Sequence, residues 1–345
     1  MQIKSFPAGK GDAIVLQWAH EGNVHYLLVD AGTPATYTYI KPHLIMHGLP
    51  FAVVVTHVDY DHVGGFLKMF ADKSLVGKEA IAVFVNTPEL ILRPKTGDAV
   101  AIGHGLSFAS LLAELNIQPK ALFTGLHAGD NVTLPGLTLS LLSPPREVVE
   151  MLMEQWQAQP LHEKLMAERT PASKVSAPDL GKQSYEQILA GEETIPRWQD
   201  DLDNSSSIAL IAADSRHKVL MLGDSNPTLV CQALSAEGYS STKKLSVNLV
   251  KLSHHGCRNN TSRELLTMLD CKYFYISTNG VGNYYHPHRE TIVRICEYAR
   301  SSRTEPIQFF TNYPLDTNGF IAPQELTDWN ISFTYKPELD LNECR

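Results

Sequence analysis

The chain has few cysteines, no C-x-x-C pair, and no apolar run near the roughly 20 residues that a bilayer span needs. Its five cysteines, Cys231, Cys257, Cys271, Cys296 and Cys344, are odd in number and widely spaced. That spacing argues against a disulfide framework and a zinc knuckle, and leaves them as core fillers or free thiols. The opening Met1-Gln2-Ile3-Lys4-Ser5-Phe6-Pro7-Ala8-Gly9 lacks the basic start, apolar stretch and small-residue cleavage site of a secretory signal. A cytoplasmic location away from membranes is therefore expected. Positive charge is also scarce: 29 Lys and Arg against 37 Asp and Glu give a net charge of -8. This argues against a general nucleic-acid coat, whose unspecific binding rests on neutralising phosphates, but leaves a nuclease open, since that needs only a local positive rim. Lys243, Lys244, Lys251, Arg258 and Arg263 cluster in sequence and read either as such a rim or as a solvated face. There is no G-x-S-x-G elbow and no P-loop, hence no signal for a side-chain nucleophile or a phosphate cradle of those types. Internal repeats and low-complexity tracts are absent too.

What is present is an ordinary globular composition over 345 residues, 43% apolar and 19% charged. Short β-like runs end in polar turns: 13–16, 26–29 before Asp30-Ala31-Gly32, and 52–55 before Thr56-His57. Loops at strand ends are free to carry side chains that a core would not tolerate, so chemistry is expected there. Helices are predicted over 66–71 and 107–115, the latter from Phe108, Leu111, Leu112 and Leu115 at helical spacing. Strand patterns return at 138–142, 208–211, 218–222, 248–252 and 273–276. Between about 146 and 200 the pattern turns polar and helical, with Pro160, Pro171, Pro178 and Pro196. The expectation is one domain over 1–345, built from two sheets and decorated by an insertion at about 146–200 through which a protein partner is conceivable.

His57, Asp59, Asp61 and His62 fall within six residues, after four apolar residues and before Gly64-Gly65. Alternation in an extended loop would send residues 57, 59 and 61 to one side while His62 reaches a neighbouring position. One loop would then feed two ions. Imidazole nitrogen and carboxylate oxygen suit zinc, manganese or iron, and the share of carboxylates tilts the set toward harder ions such as manganese.

At this point the sequence resembles the metallo-β-lactamase superfamily, whose usual signature at such a strand end is H-x-H-x-D-H. Asp59 stands where the second histidine is usual, and H-x-D-x-D-H followed by Gly-Gly resembles the hydrolase domain of ComEC-type DNA-uptake proteins and their soluble relatives. Further segments resemble that branch in the same order: Gly9-Lys10-Gly11-Asp12-Ala13, Val29-Asp30-Ala31-Gly32, Asp203-Asn204-Ser205-Ser206-Ser207-Ile208, Leu222-Gly223-Asp224, Leu252-Ser253-His254-His255-Gly256-Cys257 and Asn283-Tyr284-Tyr285-His286-Pro287. Together they span about 1–145 and 200–290 and skip the middle.

The resemblance implies an α/β fold, an αββα sandwich of two packed mixed sheets with helices outside. It also implies two divalent ions, zinc or manganese, with Asp224 as the carboxylate between them. Either His254 or His255 would complete the second ion's shell, His255 being favoured because it directly precedes Gly256. Asp30 is expected to orient ligands rather than bind metal, and the role of Asp12 is left open. The superfamily normally supplies one more histidine before the bridging aspartate, for which His104, His127 and His162 are the candidates. Without it the first ion would be weakly held, which favours manganese or magnesium over zinc.

Such a site would hydrolyse its substrate with a metal-activated water, Asp61 taking part in catalysis. His286 would protonate the leaving oxygen or hold a phosphate oxygen, with His288 as a weaker candidate. The substrate implied is DNA, RNA or a nucleotide, attacked at a phosphodiester. A non-phosphate ester, lactone or thioester is the second reading, and a non-catalytic scaffold binding nucleic acid or a partner the third.

Overall fold

The computed structural model describes residues 1–86, 112, 121–123, 125–158, 183–281, 285–300 and 304–344. In chain order its strands are β1 (Gln2–Ser5), β2 (Ile14–His20), β3 (Asn23–Val29), β4 (Ala52–Val55), β5 (Ala82–Val85), β6 (Ala121–Phe123), β7 (Asn131–Leu134) and β8 (Leu137–Ser143). They continue as β9 (Ala209–Ala213), β10 (Lys218–Met221), β11 (Leu245–Ser246), β12 (Leu249–Lys251), β13 (Leu269–Asp270), β14 (Tyr273–Ile276), β15 (Ile307–Thr311), β16 (Ile331–Tyr335) and β17 (Glu338–Asp340). The first sheet has the order β17-β1-β2-β3-β4-β5-β6 and the second β16-β15-β14-β12-β10-β9-β8-β7, while β11 and β13 pair separately. Both large sheets are mixed. β3 to β6 run parallel beside an antiparallel β17-β1-β2-β3, and β10, β12, β14, β15 and β16 run parallel beside antiparallel β7 to β10.

Strand alternation decides which layer each side chain enters. In β4, Ala52 and Val54 join the core between the sheets, whereas Val53 and Val55 face the helices. Likewise Val219 and Met221 of β10 point into the inter-sheet core, and Leu220 points to the opposite layer. Helices α1 (Tyr37–His47) and α2 (Tyr60–Ala71) cover the first sheet through Ile40, Leu44, Val63, Phe66, Met69 and Phe70. Burying side chains of this size is worth roughly 1.5–3 kcal/mol each, which is what holds the helices to the sheet. Of the remaining helices, α3 (Arg146–Ala158), α4 (Tyr185–Ala190) and α5 (Leu202–Ser205) belong to or border the excursion. Helices α6 (Pro227–Ala236), α7 (Arg263–Thr267) and α8 (Arg289–Tyr298) pack on the outer face of the second sheet, and α9 (Pro323–Asp328) contacts β16. The layering is helix, sheet, sheet, helix, the αββα sandwich expected from the sequence.

The excursion is not detached at either end. Leu152 of α3 packs with Val58 of the His57–His62 loop and with Leu202. Tyr185 and Ile188 of α4 enter the outer core of the second sheet, and Tyr185 Oη donates to Glu297 Oε2 at 2.9 Å. Between them, 159–182 with Pro160, His162, Pro171 and Pro178 lies outside the described residues, as does the helix expected over 107–115 apart from Leu112.

Candidate metal centre

Each candidate side chain follows the carboxyl end of a strand: Asp30 follows β3, His57 to His62 follow β4, Asp224 follows β10, His254 and His255 follow β12, and His286 follows β14. These ends come from parallel stretches of both sheets and meet along one edge, the place where open α/β sheets collect ligands. The extended-loop expectation for the first motif needs correcting. Asp59 is the last extended residue (φ -65°, ψ 145°) and α2 begins at Tyr60, so Asp61 and His62 occupy the first helical turn. A carboxylate there is favoured by the unpaired amides and the dipole of the helix N-terminus. The turn of the helix, not strand alternation, is what separates His57 and Asp59 from Asp61 and His62. Two glycines permit the close packing: a Cβ on Gly11 would stand 1.7 Å from the Asp61 carbonyl oxygen, and one on Gly65 2.0 Å from that of Ala31.

The structure brings His57, His62 and Asp224 together, with one ligand atom from each lying within 4.8 Å of the others. Asp61, His62 and His255 form a second such group around the same imidazole. His62 Nε2 is 3.5 Å and His255 Nε2 3.9 Å from Asp224 Oδ2, and His57 Nε2 is 3.6 Å from Asp59 Oδ2. His254 Nε2 lies 3.8 Å from the same Asp224 oxygen, but its side chain is 30% exposed whereas that of His255 is 3% exposed.

Hydrogen bonds on the far side of each ring fix which nitrogen faces inward. His62 Nδ1 donates to Asp30 Oδ2 at 2.8 Å, since a carboxylate only accepts. His255 Nδ1 donates to the Ser277 carbonyl at 2.8 Å. Thr56 Oγ1 gives its proton to Asp30 Oδ2 at 2.7 Å, so its 3.1 Å contact with His57 Nδ1 has the imidazole donating. All three rings therefore turn Nε2 toward the centre, the arrangement in which outer partners orient metal-binding histidines. Nε2 of His57 and of His62 and Oδ1 of Asp224 are buried without a hydrogen-bond partner. Buried polar atoms are rarely left so, and divalent cations seated among them would satisfy them. The donor set of imidazole nitrogen and carboxylate oxygen fits zinc or manganese.

Without a metal, the cluster's charges pair with one another. Burial works to raise the Asp224 carboxyl, but His62, His254 and His255 overrule it and hold it well below 3.8. Burial works to neutralise His62, yet the Asp224 and Asp30 carboxylates raise it well above 6.5. Burial pushes His255 down to about 4 against the pull of Asp224 and Asp12. His286 is held well below 6.5 by burial and by the neighbouring His254 and His255, whose ring centres are 5.3 and 6.1 Å away. Backbone strain concentrates here too. Asp30, His254, His255 and Tyr285 are four of the six non-glycine residues with positive φ among those described, and such conformations persist where the surroundings enforce them.

Some expected residues are elsewhere. His127 Nε2 accepts from the Arg146 guanidinium at 2.5 Å and its Nδ1 sits 3.4 Å from Asp130, in none of the ligand-spaced groups. His104, His162, Asn283 and Tyr284 lie outside the described residues. His288 is buried, its Nδ1 accepting from the Arg258 amide at 3.0 Å, and it forms a separate ligand-spaced group with His286 and Cys257. The basic cluster does not form a continuous rim. Lys251 is 1% exposed and ion-paired with Asp12, and Arg258 pairs with Glu290 at 2.6 Å. Sequence reasoning did not single out Thr56 or Ser277, and it read Lys251 as part of a rim or a solvated face, where the structure buries it. A lysine inside the apolar strand Leu249-Val250-Lys251-Leu252 was the available signal, because a buried strand tolerates a charge only when it is paired.

No protein-family model matches the chain, and no curated protein matches it either. Among solved structures it is similar to the zinc-bound PqqB of Methylobacterium extorquens, with 10% identity, a TM-score of 0.45 and coverage of 99% of this chain and 100% of that one. It is similar to YhfI of Bacillus subtilis, a metallo-β-lactamase fold protein, with 9% identity, a TM-score of 0.44 and coverage of 98% and 99%. A diphosphatase of the PhnP family matches with 9% identity and a TM-score of 0.43, over 98% of this chain and 97% of that one.

Proposed function

We propose that this chain is a metal-dependent hydrolase, and that its substrate is a phosphodiester of DNA, RNA or a nucleotide. The observation that carries the reading is the convergence of three buried imidazoles, each presenting Nε2, on the buried Asp224 carboxylate. His57 and Asp59 would hold one divalent ion, Asp61, His62 and His255 a second, and Asp224 would lie between them. When bound, such ions act as Lewis acids and lower the pKa of the water that attacks. Asp30, Thr56 and Ser277 keep the ligand rings turned inward. His286 is held neutral by burial and by its histidine neighbours, so it suits donation of a hydrogen bond to a phosphate oxygen better than delivery of a proton to a leaving group. A cysteine nucleophile is disfavoured: burial pushes the nearby Cys257 thiol up to about 11, far from the thiolate form.

Tyr60 and Tyr285, 45% and 37% exposed, adjoin Asp61 and His286 in sequence and offer faces on which a base could stack. The inward commitment of Lys251 and Arg258 favours a second reading, a small ester or lactone with little charge. The test is metal analysis of protein purified without chelator, followed by turnover of bis-p-nitrophenyl phosphate, single-stranded DNA and a lactone. Hydrolysis of the phosphodiesters, abolished in Asp61→Ala and Asp224→Ala with the fold retained, is expected. Turnover of the lactone alone would move the assignment to the second reading. A protein with no divalent metal and no activity on adding zinc or manganese is a scaffold.

A further inference from the structure

Lys251 lies in the middle of the second sheet, on β12 between Met221 of β10 and Tyr275 of β14, and is 1% exposed. Its ammonium forms an ion pair with Asp12 Oδ2 and donates to the Gly223 carbonyl oxygen at 3.4 Å. Asp12 lies on the side of the other sheet, two residues before β2, where its own carbonyl accepts from Gly32 N at 2.7 Å. The remaining carboxylate oxygen, Oδ1, is buried without a hydrogen-bond partner and lies 3.6 Å from His255 Nδ1. A ligand atom of Asp12 also lies within 4.8 Å of one from each of Asp30 and His62. One ammonium thus grips both the peptide from which Asp224 projects and the carboxylate behind His255.

Resting on the metal-centre reading above, we propose that Lys251, acting through Asp12 and the Gly223 carbonyl, is a positioning residue that sets Asp224 and His255 for the second ion. As a mere link between sheets the pair would be a poor choice. Desolvating two charges offsets most of their attraction, and an apolar pair of similar size would join the layers equally well. A lysine is also a repulsive neighbour for divalent cations, so its presence calls for an explanation from geometry. The contact to Gly223 supplies one: a hydrophobic residue at 251 cannot donate to that carbonyl or hold the Asp12 oxygens in place.

The experiment is zinc titration by calorimetry of the full chain, with melting temperatures of the metal-free and loaded forms. A single change at either position leaves a buried charge unpaired and threatens folding, so the primary variant is Asp12→Asn/Lys251→Met, which removes both charges and keeps the shapes. The expected result is a metal-free melting temperature near that of the unaltered protein, a first ion bound normally, and a second ion bound about 10–100-fold more weakly, as for other outer residues of metal sites. Both ions binding with unchanged affinity, or equal falls in the two melting temperatures with unchanged affinity, would overturn the proposal and leave the pair as a link between sheets. Should that double variant not fold, Asp12→Ala/Lys251→Met, which likewise leaves no unpaired charge, is read by the same two affinities. If the unaltered protein itself binds no zinc or manganese, it is the metal-centre reading that fails.

Discussion

Asp30 accepts from the Thr56 amide at 2.8 Å, from Thr56 Oγ1 at 2.7 Å and from His62 Nδ1 at 2.8 Å, with no surface exposed. It thereby controls two of the three inward-facing imidazoles without being one of the ligands proposed. Asp30→Asn keeps the volume but replaces one accepting oxygen by an NH2 donor, so the three bonds can no longer all be accepted. The expected outcome is a loss of about 10–100-fold in zinc affinity with an unchanged circular-dichroism spectrum. Wild-type affinity in this variant would remove Asp30 from the role. The adjacent histidines separate by the same logic. His255 is buried and held by the Ser277 carbonyl, whereas His254 is partly exposed. Metal analysis should therefore show a greater loss in His255→Ala than in His254→Ala, and the reverse order would exchange their assignments.

Among elements, the α2 N-terminus and the β12–His254 bend do most to shape the centre. Helix α2 can pack against the Asp30-Ala31-Gly32 turn that follows β3 because Gly65 has no side chain, a Cβ there lying 2.0 Å from the Ala31 carbonyl oxygen. Neither atom is the end of a flexible side chain. Gly65→Ala should lower stability by on the order of 3 kcal/mol, visible as a lower urea midpoint; an unchanged midpoint would mean that the helix slides without cost. Much of this level was legible beforehand. The four apolar residues 52–55 before a polar cluster specify β4 and its loaded end, and the same grammar specifies β10 with Asp224 and β12 with the histidine pair. The onset of α2 was harder to read, because His57 to His62 carries no residue type that forbids either conformation. Ile307 to Thr311 and Ile331 to Tyr335 form two parallel strands of the second sheet, but no cluster of ligand-type residues at their ends drew notice. Direction was the least legible property of all. Lys251 counts as one positive charge in any window of sequence, and only the packing of β12 between β10 and β14 turns it inward to Asp12.

For the molecule as a whole, the centre lies where two sheets meet, with Asp30 and His57 to His62 supplied by the first and Asp224 and His255 by the second. A bound cation would tie the halves together, and anything that binds only the folded chain stabilises it, by about 2.7 kcal/mol at a hundred times Kd. The size of that gain should depend on pH in a definite direction. Asp224, held well below 3.8 chiefly by His62 against the effect of burial, contributes stability above the ordinary carboxylate range and loses it as pH falls through its depressed value. His62, raised well above 6.5 by Asp224 and Asp30 despite burial, contributes fully below 6.5 and loses its contribution as pH rises through its raised value. Without metal, then, a proton on His62 Nε2 occupies the position facing Asp224 Oδ2 at 3.5 Å. A divalent ion must displace that proton, so apparent zinc affinity should rise between pH 6 and pH 8, by up to about tenfold per unit for one proton released. The increase in melting temperature on adding zinc should accordingly be larger at pH 8 than at pH 6. An increase of equal size at both, measured with the same excess of zinc, would mean that binding releases no buried imidazole proton and that His62 is not among the ligands.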